Sequence, residues 1–217
     1  MSNSIVNKSM KTLFPSMLFE GNLDNVQLCD DLEKEINKLI ESGQTHEKTN
    51  GLYNINTTQD NLQDLEQFKE ISDIILKESE SILDFYRLKR ESHYISNMWS
   101  HITDFHNVHQ EHIHPNCLLS GILYIRVPRY CSQTIFCDPR PSNRTMVYEY
   151  EEFNLYNSQV WWEEPVKGRM LIWPHWLPHC IDFRNLGGED TDEKRIILAF
   201  NIMVKTDIKT RTAKLKL

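Results

Sequence analysis

The sequence predicts a mainly β protein in which helices come first and a sandwich or barrel of strands follows, an α+β arrangement. Apolar residues recur at helical spacing before about residue 90, and short apolar runs separated by turn residues follow it. The length of 217 residues fits one domain. We therefore expect a single domain with a helical part (residues 1–90), a β core (91–205) and a basic tail (206–217).

The helical part carries two amphipathic patterns. The first ends at Gly43, a plausible stop, and its apolar positions are Leu28, Leu32, Ile36 and Leu39. The second runs from about Leu62 to Tyr86. The residues on its apolar side are Leu65, Phe68, Ile71, Ile75, Ile82 and Tyr86. We interpret both helices as scaffold that packs on the β core.

The β core is predicted from five short apolar runs. They are His93–Ser100, Cys117–Val127, Gln133–Cys137, Arg169–Trp173 and Arg195–Val204. Proline, glycine and asparagine separate them, at Pro128, 139–143 and Gly187–Gly188. Many short strands with turns between them favour a sandwich or a barrel.

Composition narrows the classes of partner. The net charge of −7 argues against a nucleic-acid backbone, and no stretch approaches the roughly 18 apolar residues of a membrane span. The segment Met1–Lys11 lacks the apolar core of a secretion signal. Five cysteines without a C-x-x-C pair favour a reducing, cytoplasmic compartment over a disulfide framework or a zinc ribbon. We expect a small-molecule or peptide substrate, and we interpret the tail as a solvated or loosely packed end.

Histidines in two clusters predict a metal site. His112 and His114, at i and i+2, point to the same side if they lie in a strand, and His179 follows a later apolar run. Three imidazoles suit iron(II), copper, nickel or zinc. The alternative is that these are ordinary surface or core histidines, because other histidines crowd the same region. We assign those neighbours to loops or to the surroundings of the site; they are His106, His109 and His175.

The expected carboxylate ligand is missing from its usual place. A facial triad combines two histidines with one carboxylate, but His114 stands where a His-x-Asp motif would have the acid. Either the site has three histidines, or another strand supplies a carboxylate. Asp138 is the leading supplier, whereas Glu111 should point to the opposite face.

Arg195 is the predicted clamp for an acidic co-substrate. A guanidinium grips a carboxylate through two parallel hydrogen bonds, and 2-oxoglutarate offers such a group. On the same strand face lie Ile197, Ala199 and Asn201. The alternative is a surface ion pair with the preceding acidic residues Asp192 or Glu193.

Three further polar residues are candidate donors to the same co-substrate. Ser120 and Tyr124, at i and i+4 on the strand that follows the histidine pair, share a face. Asn97 lies on the preceding strand. We therefore add all three to the predicted co-substrate site.

Five segments together resemble one known family. HIHPNCLLSGILYIRVP, IFCDPR, GRMLIWPHWLPH, KRIILAFNIMV and the opening LFPSMLFEGNL are similar to the 2-oxoglutarate/iron(II) oxygenases of marine bacteria and cyanophages. The resemblance covers about Leu13 to Val204. It implies a double-stranded β-helix, which is a jelly-roll barrel, with the helices packed outside. It also implies Fe(II), 2-oxoglutarate and O2 as cofactors.

Residue by residue, the resemblance implies metal-binding roles for His112 and His179. It puts His114 at the position of the acidic ligand and makes Arg195 the 2-oxoglutarate-binding base. The implied reaction is hydroxylation of a substrate that the sequence does not name. Two alternatives stay open: a three-histidine cupin-like metalloenzyme that does not use 2-oxoglutarate, and a non-catalytic jelly-roll module.

The insertion Ser142–Glu164 is rich in Tyr, Trp and Glu. It is expected to be a lid or substrate loop, or else a solvated connection. Within it, Trp161 and Trp162 fit an exposed apolar contact in a homodimer, and equally two core or loop tryptophans.

Overall fold

The computed structural model describes residues 9–45, 55–104, 108–129, 131–140, 145, 148–181, 193–209 and 214–216. Within these residues, six strands form a large antiparallel sheet. In their order across that sheet they are β1 (Phe19–Asn22), β8 (Arg169–Pro174), β5 (Leu119–Arg126), β10 (Lys194–Lys205), β3 (Ser92–Asp104) and β2 (Ile55–Thr57). The five predicted strands are therefore confirmed, because four of them build the centre of this sheet and the fifth lies in the sheet opposite.

A smaller antiparallel sheet contains four strands. In order they are β4 (His109–His112), β9 (His179–Ile181), β6 (Thr134–Cys137) and β7 (Val160–Glu163). Between β3 and β10 the chain passes repeatedly from one sheet to the other, with β3, β5, β8 and β10 in the large sheet and the other four in the small one. This interleaving is the topology of a jelly roll. The fold is thus the mainly β, double-stranded β-helix that was predicted.

The helix α1 (Gln27–Glu41) confirms the first helical pattern. It buries the four apolar positions of that pattern except the first, Leu28, which is half-buried. After its end, Gly43 has a φ of +78°, which glycine adopts without steric penalty. The predicted stop is therefore correct.

The second helix, α2 (Lys69–Phe85), begins later than predicted. Two short 3-10 turns, Leu62–Asp64 and Glu66–Phe68, stand where its first two turns were expected. Tyr86 lies beyond its end and is 45% exposed, so its assignment to the apolar side was wrong. Helical periodicity cannot distinguish a 3-10 turn from the start of an α-helix over so few residues.

The two faces of β10 separate the two parts of the core. Ile196, Leu198 and Phe200 pack with the residues that the helices bury, whereas Ile197 and Ala199 pack inside the barrel. Alternation of side chains along a strand produces this division. The interior face of β10 therefore continues from Arg195 through these residues to Asn201.

Three observations modify the predicted organisation. The N-terminal part is not only helical, because β1 and β2 form the two edges of the large sheet. The tail contains two short strands, β11 (Asp207–Lys209) and β12 (Lys214–Lys216), which pair as an antiparallel ribbon. Neither helix of the described chain has the length and apolar character needed to cross a membrane.

Candidate metal and co-substrate site

Three histidines meet where the small sheet faces the barrel interior. His112 ends β4 and lies opposite His179, the first residue of β9. His114 follows two residues later. The possible ligand atoms of the three side chains all lie within 4.8 Å of one another. The ring centroid of His179 is 4.3 Å from that of His112 and 5.1 Å from that of His114. The predicted metal-site histidines are therefore brought together.

Hydrogen bonds fix the tautomer of each ring. The Nδ1 atoms of His112 and His179 lie 2.8 Å and 3.1 Å from the backbone carbonyl oxygen two residues earlier. The Nδ1 atom of His114 lies 2.8 Å from Oδ1 of Asn201. Because these oxygens accept and do not donate, each Nδ1 carries the proton. Each Nε2 therefore keeps the lone pair that a metal needs, and a polar partner at the other ring nitrogen is the arrangement seen around metal-bound histidines.

The i, i+2 interpretation assumed that His114 lies in a strand, but β4 ends at His112. The backbone N–H of His114 instead donates to the carbonyl of His175 at 3.0 Å, and Nδ1 of His175 donates to the carbonyl of His114 at 3.1 Å. On its other side the imidazole stacks on Trp99, with centroids 6.1 Å apart. Backbone bonds outside the sheet therefore hold it beside the other two histidines.

Burial keeps the imidazoles of His114 and His179 uncharged. It lowers the pKa of His179 to about 3 and that of His114 to about 4, and the neighbouring histidines contribute to both shifts. The pKa of His101, which lies on β3 opposite Ile197, falls to about 3 for the same main reason. At neutral pH the rings are neutral, which is the form that binds metal.

Arg195 is buried in the barrel interior with an incomplete set of partners. It is 2% exposed, and neither its Nε nor its Nη2 atom has a hydrogen-bond partner among the described residues. Its Cζ atom lies 5.5 Å from the ring centroid of Tyr124. The alternative of a surface ion pair with Glu193 is wrong, because Arg195 is buried and pairs with no described carboxylate; Asp192 lies outside the described residues. A buried guanidinium with unused donors is a site for an anion.

Two further interior residues, which no sequence pattern indicated, also have a buried polar atom without a described hydrogen-bond partner. Thr103 lies opposite Arg195 in the register of β3 and β10, and its buried Oγ1 has no described partner. The Nε1 atom of Trp173 is also buried and unpartnered within the described chain, and its ring lies 4.7 Å from that of His179. Only the strand register shows that these donors face the predicted site.

The other predicted co-substrate residues face the same interior. Tyr124 is buried, and its hydroxyl lies 2.6 Å from Oγ1 of Thr134. Ser120 donates to Oδ1 of Asn201 at 2.9 Å, and Nδ2 of Asn201 donates to Oδ1 of Asn97 at 2.9 Å. Tyr124 therefore lies beside Arg195, whereas Ser120 and Asn97 belong to the hydrogen-bond network of His114.

The proposed carboxylate supplier is engaged elsewhere. Asp138 accepts from the Nε and Nη2 atoms of Arg140 at 2.8 Å and 2.6 Å, and it is outside the histidine cluster. Glu111 is exposed, in line with the prediction that it points away. Among the neighbouring histidines, His109 has its ring 4.1 Å from that of His112, and His106 lies outside the described residues.

The end of the predicted insertion is a strand rather than a free loop. β7 pairs with β6, and Trp161 lies opposite Phe136, which packs inside the barrel near His179. Both Trp161 and Trp162 are exposed, at 41% and 44%, so they are not core residues. Residues 141–144 and 146–147 of the insertion lie outside the described residues.

Comparisons with known proteins agree with this geometry. Residues 97–201 match a family model described as "Putative 2OG-Fe(II) oxygenase". No curated protein matches the chain by sequence.

Several solved structures share the fold. A prolyl-4-hydroxylase from Pseudomonas putida is 10% identical, with a TM-score of 0.62 over 88% of this chain and 94% of that one. SnoN, a non-haem α-ketoglutarate-dependent epimerase from nogalamycin biosynthesis, is also 10% identical, with a TM-score of 0.65 over 91% and 80%. HygX from Streptomyces hygroscopicus, solved with nickel, 2-oxoglutarate and hygromycin B, is 9% identical, with a TM-score of 0.55 over 87% and 83%.

The family match runs from Asn97 in the middle of β3 to Asn201 in β10. It therefore contains the three histidines, the strands that position them and Arg195. Over these residues the chain is similar to 2OG-Fe(II) oxygenases, and the comparisons and the histidine cluster together indicate an oxidoreductase that uses Fe(II), 2-oxoglutarate and O2.

Proposed function

We propose that His112, His114 and His179 bind Fe(II), that Arg195 binds the distal carboxylate of 2-oxoglutarate, and that the enzyme hydroxylates a small-molecule or peptide substrate. One observation carries the proposal. The possible ligand atoms of three imidazoles lie within 4.8 Å of one another in the same barrel in which a buried guanidinium has two donors without a described partner. A metal and a dianionic co-substrate together satisfy both requirements.

The residues fit the cofactors by their chemistry. Fe(II) accepts imidazole ligands, and three of them leave further coordination positions for a co-substrate and O2. Nε and Nη2 of Arg195 are suited to a bidentate carboxylate, and Thr103 and Tyr124 add hydroxyl groups nearby. When bound, the cofactors supply oxidative chemistry in which 2-oxoglutarate and O2 become succinate and CO2 while one oxygen atom is added to a C–H bond of the substrate.

The protein itself orients the co-substrate and the substrate, and it excludes water from the site. The apolar interior walls surround the polar groups, and they include Ile122, Leu171, Ile197 and Ala199. A dry, low-dielectric interior strengthens the pairing of Arg195 with a carboxylate. At the outer end of the small sheet, Trp161 is available to contact a substrate. Its indole donates to Glu163, which leaves the ring face for apolar contact.

The test is an anaerobic titration of metal-free protein with Fe(II) and then with 2-oxoglutarate, followed by the visible charge-transfer band of the ternary chelate. We expect the band only when both are present. We expect His179→Ala to abolish Fe(II) binding and Arg195→Ala to abolish the response to 2-oxoglutarate while Fe(II) still binds. Arg126→Ala is the matched control, because this arginine pairs with Glu33 on the outer face of β5.

Each other outcome has a defined meaning. Fe(II) binding without a response of the wild-type protein to 2-oxoglutarate would favour a three-histidine metalloenzyme of another kind. Absence of stoichiometric Fe(II) binding would overturn the proposal and leave a jelly roll whose histidines have another purpose. If the band forms, succinate release in the presence of candidate substrates is the next measurement.

A further inference from the structure

A row of polar side chains crosses three neighbouring strands of the large sheet beside His114. Asn201 on β10 lies opposite Asn97 on β3 and opposite Ser120 on β5. Residues that lie opposite each other in antiparallel strands project to the same face. We call these three residues the amide row. Within the barrel interior, this row is the set of paired residues beside His114.

The amide row is polar although its surroundings are apolar. The next set of paired residues along the same face consists of Trp99, Ala199 and Ile122. Ser120 is fully buried and Asn201 is 7% exposed. Polar groups at such positions destabilise the fold unless they are hydrogen-bonded, so the bonds that they form reveal their arrangement.

The hydrogen bonds of the row have one consistent direction. Ser96 donates to Oδ1 of Asn97 at 3.1 Å, and that oxygen also accepts from Nδ2 of Asn201 at 2.9 Å. The Oδ1 atom of Asn201 is thereby turned the other way. There it accepts from Ser120 at 2.9 Å and from Nδ1 of His114 at 2.8 Å. The carboxamide can therefore serve His114 only as an acceptor.

His114 differs in this respect from its two neighbours. The Nδ1 protons of His112 and His179 are held by backbone carbonyl oxygens two residues away, which their local chain supplies whatever the side chains are. The Nδ1 proton of His114 is held by the side chain of a distant strand. The tautomer of this ring therefore depends on one substitutable residue.

We propose that Asn201 is a positioning residue that makes the imidazole of His114 usable as the third ligand, in place of the carboxylate of a two-histidine, one-carboxylate triad. An ionised carboxylate can bind a metal through either oxygen, but a neutral imidazole offers Nε2 only when its proton is on Nδ1. Asn201 fixes that proton, and Asn97 fixes Asn201. The inference rests on the proposed metal role of His114.

The experiment begins with the metal-free wild-type protein, uniformly labelled with 15N-histidine. Long-range proton–nitrogen spectra distinguish the Nδ1–H from the Nε2–H form of each ring, without metal and without catalysis. We expect His114 in the Nδ1–H form in the wild-type protein and in Asn201→Asp, which keeps an acceptor. We expect Asn201→Leu to lose this preference.

Anaerobic Fe(II) affinity is the second readout. Loss of a hydrogen-bond partner behind a metal-bound histidine typically weakens binding 10–100-fold, so we expect about this loss in Asn201→Leu. Asn201→Asp should recover most of the affinity. The matched control is Ser100→Ala, which removes a buried 2.7 Å hydrogen bond between the same two strands on their opposite face. It should lower stability but leave Fe(II) affinity unchanged.

Several results would overturn the inference. One is a wild-type His114 in the Nε2–H form, which decides the matter even if Asn201→Leu does not fold. Another is an Asn201→Leu protein that binds Fe(II) as tightly as the wild type, or an Asn201→Asp protein that is as impaired as Asn201→Leu. Failure of the proposed function looks different, because then wild type and His179→Ala would bind Fe(II) equally poorly.

Discussion

Replacing Arg195 with methionine should stabilise the cofactor-free protein, which is the opposite of what most substitutions in a protein interior do. Two buried donors of Arg195 lack described partners, and each unsatisfied donor costs about 1–3 kcal/mol, or about 2–6 kcal/mol for both. The cation–π contact with Tyr124 returns about 0.5–2 kcal/mol. Methionine keeps the apolar length of the side chain. We therefore expect the free energy of unfolding to rise by about 1–4 kcal/mol.

The same substitution should strongly weaken 2-oxoglutarate binding. Two charge-assisted hydrogen bonds to the carboxylate are lost, at about 1.5–3 kcal/mol each. At about 1.4 kcal/mol per tenfold change, the dissociation constant should rise by roughly 10²–10⁴. Stability and co-substrate affinity thus move in opposite directions at one position, as expected when a binding site holds an unsatisfied charge.

The assay is urea unfolding with a chelator and without 2-oxoglutarate, followed by tryptophan fluorescence, together with calorimetric titration of the metal-loaded protein with 2-oxoglutarate. Arg126→Met is the control, because this partly exposed arginine is paired with Glu33 and should contribute only about 0–1 kcal/mol. If Arg195→Met unfolds more easily than the wild type without cofactors, the guanidinium has an internal partner. The reasoning from unused donors would then be refuted.

Three further outcomes are expected. Gly121→Ala should destabilise the fold by about 1–3 kcal/mol in urea, because its Cβ would lie 2.4 Å from the ring of Phe200; an unchanged midpoint would contradict this packing. The free energy of unfolding of the metal-free protein should fall as the pH drops from about 6.5 toward 4, because the unfolded chain takes up protons at His114 and His179 that the folded protein does not. The expected loss is about 1.4 kcal/mol per pH unit for each of these histidines. Equal stability in urea titrations at pH 7, 6 and 5 would exclude this dependence. Tyr124→Phe should lose about 1 kcal/mol of stability with its buried hydroxyl bond, measured in the same way, and equal stability would show that the bond is not formed.

The barrel could be predicted because its central strands are apolar on both faces. β5 and β10 pack between the barrel interior and the helices, so they appear as continuous apolar runs with clear ends. The strands β1, β2, β7 and β9 could not be predicted, because each has only three or four residues and none is buried along its whole described length. The equally short β6 was predicted because all four of its residues are buried and form an apolar run, whereas a short strand without such a run resembles a loop.

The site was predicted as far as local spacing reaches. His112, His114 and His179 were identified from spacing and from the resemblance, although the strand assumed for His114 does not continue that far. Thr103 and the role of Asn201 depend on which residues lie opposite in the sheet. Register is a long-range property, so no local pattern carries it.

The position of His112 has a consequence for how the protein moves. It lies on β4, a four-residue strand at the edge of the small sheet, whose irregular pairing with β9 joins His109 to Ile181 and His112 to His179. Short edge elements with few backbone bonds open locally long before a molecule unfolds. A metal ion bound by His112 and His179 would link β4 to β9 and oppose the local separation of the two strands. Slow hydrogen exchange at the β4 amides is therefore expected of the metal-loaded protein, and fast exchange of the empty one.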